Sequence, residues 1–103
     1  MHYLVTEKGG ELVGVVGYVV MADMLREELQ FVVESVYVRP EHRRRGLFSK
    51  MYGRLVELAK AHPLAGGVTL YVEKENAGAK KTYEKMGMAD SGVPLFERDL
   101  TLL

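Results

Sequence analysis

The chain has 103 residues with 14 basic and 14 acidic side chains, so its formal net charge is zero. That length suits one domain with a core of its own, and the absence of cysteine excludes disulfide scaffolds, thiolate zinc sites and cysteine nucleophiles. No apolar run reaches the roughly 18 residues of a membrane helix, and Glu7, Lys8, Gly9 and Gly10 break the first apolar stretch, unlike a signal peptide; the cytoplasm is the expected location.

His2 to Thr6 reads as a short strand, and the polar tetrad Glu7 to Gly10 as a hairpin turn. Glu11 to Ala22 is rich in valine and interrupted by glycine, which predicts a long strand with apolar residues on both faces. After a charged connection from Asp23 to Glu28, Leu29 to Val38 predicts a third strand, ended by Arg39-Pro40. Period two puts Phe31, Val33, Ser35 and Tyr37 on one face of it and Val32, Glu34, Val36 and Val38 on the other. Glu34 then falls in an apolar row, where a carboxylate is costly unless it is paired or reaches water.

Pro40 to Arg45 reads as a loop. From Leu47 to His62 the spacing is helical, with Phe48, Met51, Tyr52, Leu55, Leu58 and Ala59 forming one stripe; His62-Pro63 stops it. Gly66-Gly67 leads into a fourth strand over Val68 to Val72. Strands joined through a helix run parallel by a right-handed crossover. Asn76 is a good N-cap for a second helix from Ala77 to Met86, which Gly87 ends. Val93 to Leu102 reads as a last strand. The order predicts a mixed sheet with helices packed on it, an α+β fold forming a single domain.

The neutral total hides a basic cluster. Arg39, Arg43, Arg44, Arg45, Lys50 and Arg54 are opposed only by Glu41 over that stretch. A solvated charged face is one reading of it. The other is an anion site, because a helix start leaves N–H groups unpaired and carries partial positive charge, and Gly46 lets a ligand approach the backbone. A compact cluster in a neutral chain suits a small polyanion better than nucleic acid. Neither GxxxxGK nor GxGxxG is present, so neither a nucleotide-hydrolysing P-loop nor a dinucleotide fold is indicated. His42 and His62 have no partner at metal-ligand spacing and His2 lies near a free end, so no metal site is expected.

The run VESVYVRPEHRRRGLF, followed by an amphipathic helix, resembles the acetyl-CoA-binding motif of the GCN5-related N-acetyltransferases, the GNAT family, whose signature is Arg or Gln, x, x, Gly, x, Gly or Ala. Arg43 matches the first position and Gly46 the central glycine; Phe48 stands where the last small residue would be. A second segment, LYVEKENAGAKKTYEKMGM, is similar to the family's other hallmark, with Asn76 and Tyr83 two helical turns apart on one face. Glu34, the Asn76-to-Tyr83 spacing and Leu95-Phe96 look most like the diamine and polyamine N-acetyltransferases. The resemblance spans nearly all of this chain and the later two-thirds of a usual family domain. Against that layout the first strand and first two helices are lacking.

The resemblance implies direct transfer of acetyl from acetyl-CoA to an amine, most readily a small-molecule amine such as a polyamine or amino acid. It implies cofactor contacts from Val36, Tyr37, Val38, Arg43, Arg44, Arg45, Gly46, Leu47, Phe48, Ser49, Asn76 and Lys80. It also implies Glu34 as base or proton relay, the backbone of Val36 or Tyr37 at a strand bulge as donor to the thioester oxygen, and Tyr83 as the acid that protonates the departing thiolate. Glu34 in a salt bridge and Tyr83 as a core aromatic are the plain structural alternatives. For the whole chain, the alternative function is a non-catalytic coenzyme A-binding or interaction module. The family layout leaves part of the early sheet bare and the first strand as an open edge, so a second copy is expected to cover it in a homodimer.

Overall fold

The computed structural model describes residues 1–93 and 96–101. The chain forms two compact units, Met1–Tyr71 and the residues from Val72 onward. In the first unit β1 (His2–Lys8), β2 (Glu11–Asp23), β3 (Glu28–Val38), a single 3-10 turn (Pro40–His42), α1 (Leu47–Ala61) and β4 (Ala65–Leu70) follow in order. The strands make one sheet in the order β1-β2-β3-β4. The β1–β2 and β2–β3 pairs are antiparallel and β3–β4 is parallel. This is the mixed α+β sheet expected from the hydrophobic pattern.

Turn chemistry sets both hairpins. Lys8 pairs with Glu11 across Gly9 and Gly10, both at positive φ, which matches the twist of the flanking strands. At the other hairpin the Asp23 carboxylate accepts from the amides of Leu25 and Arg26 at 3.1 and 3.2 Å, a local turn that asparagine and aspartate favour.

The core lies between α1 and one face of the sheet. Met51, Leu55 and Ala59, one helical stripe, bury against Val16, Tyr18, Phe31 and Val33. Leu55 is fully enclosed, which stabilises the fold by about 1.5–3 kcal/mol. An aromatic row crosses the strands here: His2 stacks on Tyr18 at 5.2 Å, Tyr18 on Phe31 at 5.6 Å, and Phe31 meets His62 edge-on at 6.1 Å. On the far face Tyr3 and Val5 are more than half exposed.

Two features of β3 and β4 differ from the sequence reading. The first is alternation along β3. Gly17 pairs with Ser35 but Tyr18 pairs with Val33, so Glu34 is an extra residue in the ladder. A bulge of this kind swaps the faces beyond it. Phe31 and Val33 therefore share the α1 side with Val38, whereas Ser35 lies against Gly17 and Tyr3 on the opposite side. The bulge sits at Glu34, two residues before the expected Val36–Tyr37 position, and Glu34 itself is exposed rather than held in an apolar row.

The second is the start of β4, which begins at Ala65 instead of Val68. Its glycines are strand residues because side chains of β3 fill the space beside them. The Glu28 carboxylate lies where Gly66 would carry a Cβ, and Gln30 lies over Gly67. The buried Gln30 is bonded at both ends of its amide: Nε2 donates to Glu28 at 3.0 Å and Oε1 accepts from Thr69 at 2.7 Å. A buried amide satisfied across two strands pins their register.

In the second unit α2 runs from Ala77 to Lys85. The Asn76 side chain accepts from the Ala79 amide at 3.0 Å, the expected N-cap. At the other end Met86, Gly87 and Met88 donate back to the carbonyls of Tyr83 and Glu84, with Gly87 at positive φ. The expected last strand, 93–102, lies outside the described residues at 94, 95 and 102; Phe96 to Asp99 carry no regular structure. Among the described residues no helix is long and apolar enough to cross a membrane.

Candidate active site

The site starts where β3 leaves its parallel neighbour. β4 pairs with β3 from Leu29 to Val33 and no further. Glu34, at the bulge, is the first residue past that pairing. From there to Val38 the strand keeps β2 on one side. Its other edge carries no paired strand among the described residues. Backbone groups on such an edge can take an extended ligand as a further strand would be taken. Val36 and Tyr37 on this stretch are 43% and 52% exposed, so a ligand can reach them.

The chain then turns into α1. The Arg39 amide donates to the Val13 carbonyl at 2.9 Å, which ends the sheet. His42 and Arg43 donate to the carbonyls of Arg39 and Pro40 and close the 3-10 turn. Arg44 has φ 63° and Gly46 has φ 73°. A non-glycine residue in that region costs about 1–2 kcal/mol, and left-handed residues of this kind build concave nests of backbone N–H groups that hold anions. Nothing lies within 4 Å of where Gly46 would carry a Cβ, so the space over the turn is open.

Gly46 is also the N-cap of α1, and it offers no side-chain acceptor. Lys50 is the residue that donates back to the Gly46 carbonyl, at 3.1 Å. The amides of Leu47 and Ser49, ahead of it, have no acceptor within the helix. The helix contributes partial positive charge at the same place. Open backbone, missing cap and dipole all favour an anion.

The basic side chains divide into three groups. Arg39 pairs with Glu11 at 3.2 Å and Glu41 at 3.9 Å, and Arg54 pairs with Glu57 at 3.0 Å. Arg43 turns back onto β3, its Nε donating to the Val38 carbonyl at 2.8 Å and its guanidinium 5.8 Å from the centre of the Tyr37 ring. Arg44, Arg45 and Lys50 have no ion pair among the described residues and are exposed. Three cations without an ion pair, beside a helix start without a side-chain cap, suit a small polyanion.

Of the residues expected from the sequence, Val36, Tyr37, Val38 and Arg43 come into contact or adjacency, with Arg44 to Ser49 following directly. Glu34 lies on the same strand at the bulge. Asn76 caps α2 in the second unit, and Lys80 and Tyr83 lie on it; Lys80 is held by a bond from Nζ to the Lys74 carbonyl at 2.9 Å, and Tyr83 is half-buried. One supporting residue escaped sequence reading. Gly14 on β2 leaves the space into which Leu47 and Met51 pack, so it seats the first turn of α1. A glycine inside a strand is the signal that marks such a close approach.

A shallow groove of about 220 Å³ lies apart from this turn, between α1 and β4, lined in part by Tyr52, Val56 and Val68. Burial beside it pushes the Tyr52 phenol above its ordinary range. No cluster of three or more histidine, aspartate or glutamate side chains that could hold a metal occurs among the described residues.

The model of the acetyltransferase (GNAT) family matches residues 1–88. The chain belongs to the GNAT family. Among curated proteins, this GNAT chain is 32% identical over 92 residues to a provisionally named ribosomal protein bS18-alanine N-acetyltransferase of Bacillus subtilis (strain 168), covering 89% of itself and 56% of that protein. A possible acetyltransferase from Clostridium difficile 630 has a crystal structure that matches with a TM-score of 0.86 and 30% identity, over 95% of this chain and 64% of the other. The chain thus spans less than two-thirds of the length of either relative. An aminoglycoside N-acetyltransferase, AAC(6')-Iy, solved in complex with CoA, shares the fold at a TM-score of 0.79 and 15% identity, over 94% of this chain and 74% of the other.

Proposed function

We propose that this GNAT protein transfers an acetyl group from acetyl-CoA to a primary amine. The observation that carries the reading is the uncapped, left-handed turn from Arg44 to Gly46 with uncommitted cations around it, set at the end of a strand whose outer edge is open. That arrangement suits a ligand with a polyanionic end and an extended arm carrying hydrogen-bonding amides. Coenzyme A has both. Its acetyl thioester, when bound, would supply the activated acetyl group.

The residues fall into roles by position. Backbone amides from Arg44 to Ser49 hold the diphosphate, and Arg44, Arg45 and Lys50 add charge around it. The open edge from Val36 to Val38 takes the arm, and a main-chain N–H of Val36 or Tyr37 donates to the thioester oxygen. Glu34, exposed at the bulge, accepts the amine proton directly or through water. The family resemblance gives the thiolate's proton to Tyr83 and cofactor contacts to Asn76 and Lys80. Glu34 at a bulge, where strands are re-aimed beside a site, supports its role better than a buried salt bridge would.

For the acceptor, a small amine such as a polyamine or an amino acid is the first reading. The name of the Bacillus subtilis relative favours a second, the α-amine of a protein N-terminus. The two differ in what they ask of the base. An α-amine has a pKa near 7.7–8.0 and an alkyl amine one of roughly 10.4, so the α-amine needs less help at neutral pH. We place the protein in the cytoplasm and expect a homodimer across the exposed Tyr3–Val5 edge of β1. Light scattering giving a monomer mass at micromolar concentration would count against the dimer.

Turnover of acetyl-CoA with thiol detection tests the function. Polyamines, amino acids, aminoglycosides and a peptide beginning with alanine form the panel. Thiol release with an amine supports the enzyme. Coenzyme A binding without turnover across the panel supports a non-catalytic module, and absence of binding overturns the reading.

A further inference from the structure

We propose that Arg43 is a positioning residue, whose side chain ties the turn that opens α1 to the free end of β3 and so fixes the span between the anion nest and the strand edge. The proposal rests on the coenzyme A reading above and gives Arg43 a role other than phosphate binding.

The turn has few other ties to the sheet. After the Arg39 amide meets Val13, the bonds of His42 and Arg43 close only the 3-10 turn itself. The chain then passes through left-handed Arg44 and Gly46 before α1 begins. The Arg43 side chain reaches back across this segment. Its Nε donates to the Val38 carbonyl at 2.8 Å, and its guanidinium carbon lies 5.8 Å from the centre of the Tyr37 ring. Both partners belong to the strand end that would receive the ligand's arm.

Arg43 spends its Nε–H on Val38 and lays its guanidinium by the Tyr37 ring, whereas Arg44, Arg45 and Lys50 have no ion pair among the described residues. What the tie uses is a planar N–H donor set over a ring. The bond with Val38 needs an N–H at the ε position of the side chain. Glutamine can supply a planar N–H without charge. Lysine keeps the charge but has neither the plane nor a donor at that point along the side chain. The two substitutions therefore separate positioning from phosphate binding.

Calorimetric titration of CoA into the unsubstituted protein, Arg43→Gln, Arg43→Lys and Arg43→Ala reads the order. Positioning predicts affinity within about threefold for Arg43→Gln and a loss of about tenfold for Arg43→Lys and Arg43→Ala. Arg43→Lys binding as well as or better than Arg43→Gln overturns it, and so does equal affinity in all four. The second readout is the Arg43 Nε–H resonance of ¹⁵N-labelled protein, which should be protected from exchange in the free protein and keep its shift at saturating CoA. An unprotected signal, or one that moves away when CoA binds, overturns the tie. Failure of the unsubstituted protein to bind CoA sinks the underlying reading instead. The two failures are told apart because the Nε–H signal is read without ligand.

Discussion

Gly14 and Leu47 stand one on top of the other: a Cβ on Gly14 would meet Leu47 Cδ2 at 3.1 Å, with Met51 Cε equally near. The first turn of α1 therefore rests on bare backbone of β2. Gly14→Val is expected to push that turn outward and to cost about 1–3 kcal/mol, the usual range for overpacking. Urea denaturation measures the loss, and CoA affinity should fall with it. A fully stable Gly14→Val protein with unchanged affinity would show that the turn is seated some other way.

The proton roles make separate predictions. Tyr83→Phe should lower turnover more than cofactor affinity, by about 10²-fold or more for loss of a general acid. Equal loss of both would assign Tyr83 to packing. Glu34→Gln should displace the pH–rate profile toward alkaline pH, because more of the amine must then be deprotonated by solvent. Superimposable profiles would remove Glu34 as base or relay.

Tyr52 gives a prediction about stability and pH. Its phenol is raised above the ordinary value by burial. Below the unfolded pKa, near 10, the group is protonated in both states and the native fold keeps its full stability. As pH rises past that point the unfolded chain ionises first, and stability falls until the native phenol also titrates. Denaturation midpoints measured from pH 8 to pH 11 should decline above about pH 10. Tyr52→Phe should flatten that decline. An unchanged decline would place its cause elsewhere.

The core is the part that hydrophobic spacing made plainest. Met51, Leu55 and Ala59 recur at helical intervals and do form the buried stripe of α1. Asn76 reads as an N-cap and caps α2. The alternation of β3 misled, because a bulge adds one residue without changing composition. Glu34 is the only polar side chain between Phe31 and Ser35, and that interruption was the trace the bulge left. The start of β4 misled for a similar reason. Gly66 and Gly67 have the composition of a turn, and only the side chains of Glu28 and Gln30 beside them explain glycine in a strand. At the site, Gly46 and the arginine run were visible as an anion-binding turn. The left-handed backbone of Arg44 was not, since arginine seldom adopts it. The division of the basic cluster into paired and uncommitted cations depends on contacts between Arg39 and Glu11, far apart in the chain.

Everything functional depends on coenzyme A lying on the turn before α1. The most direct measurement is a titration of CoA into ¹⁵N-labelled protein, with Gly46→Glu as the comparison. The open space over Gly46 should let the substituted protein fold at a cost of about 1–2 kcal/mol for the left-handed backbone, while the added carboxylate excludes a phosphate. The prediction is that amide signals from Arg44 to Ser49 shift on binding in the unsubstituted protein, and that binding is lost in folded Gly46→Glu. Saturable binding that leaves those amides unmoved, or survives Gly46→Glu undiminished, would contradict it.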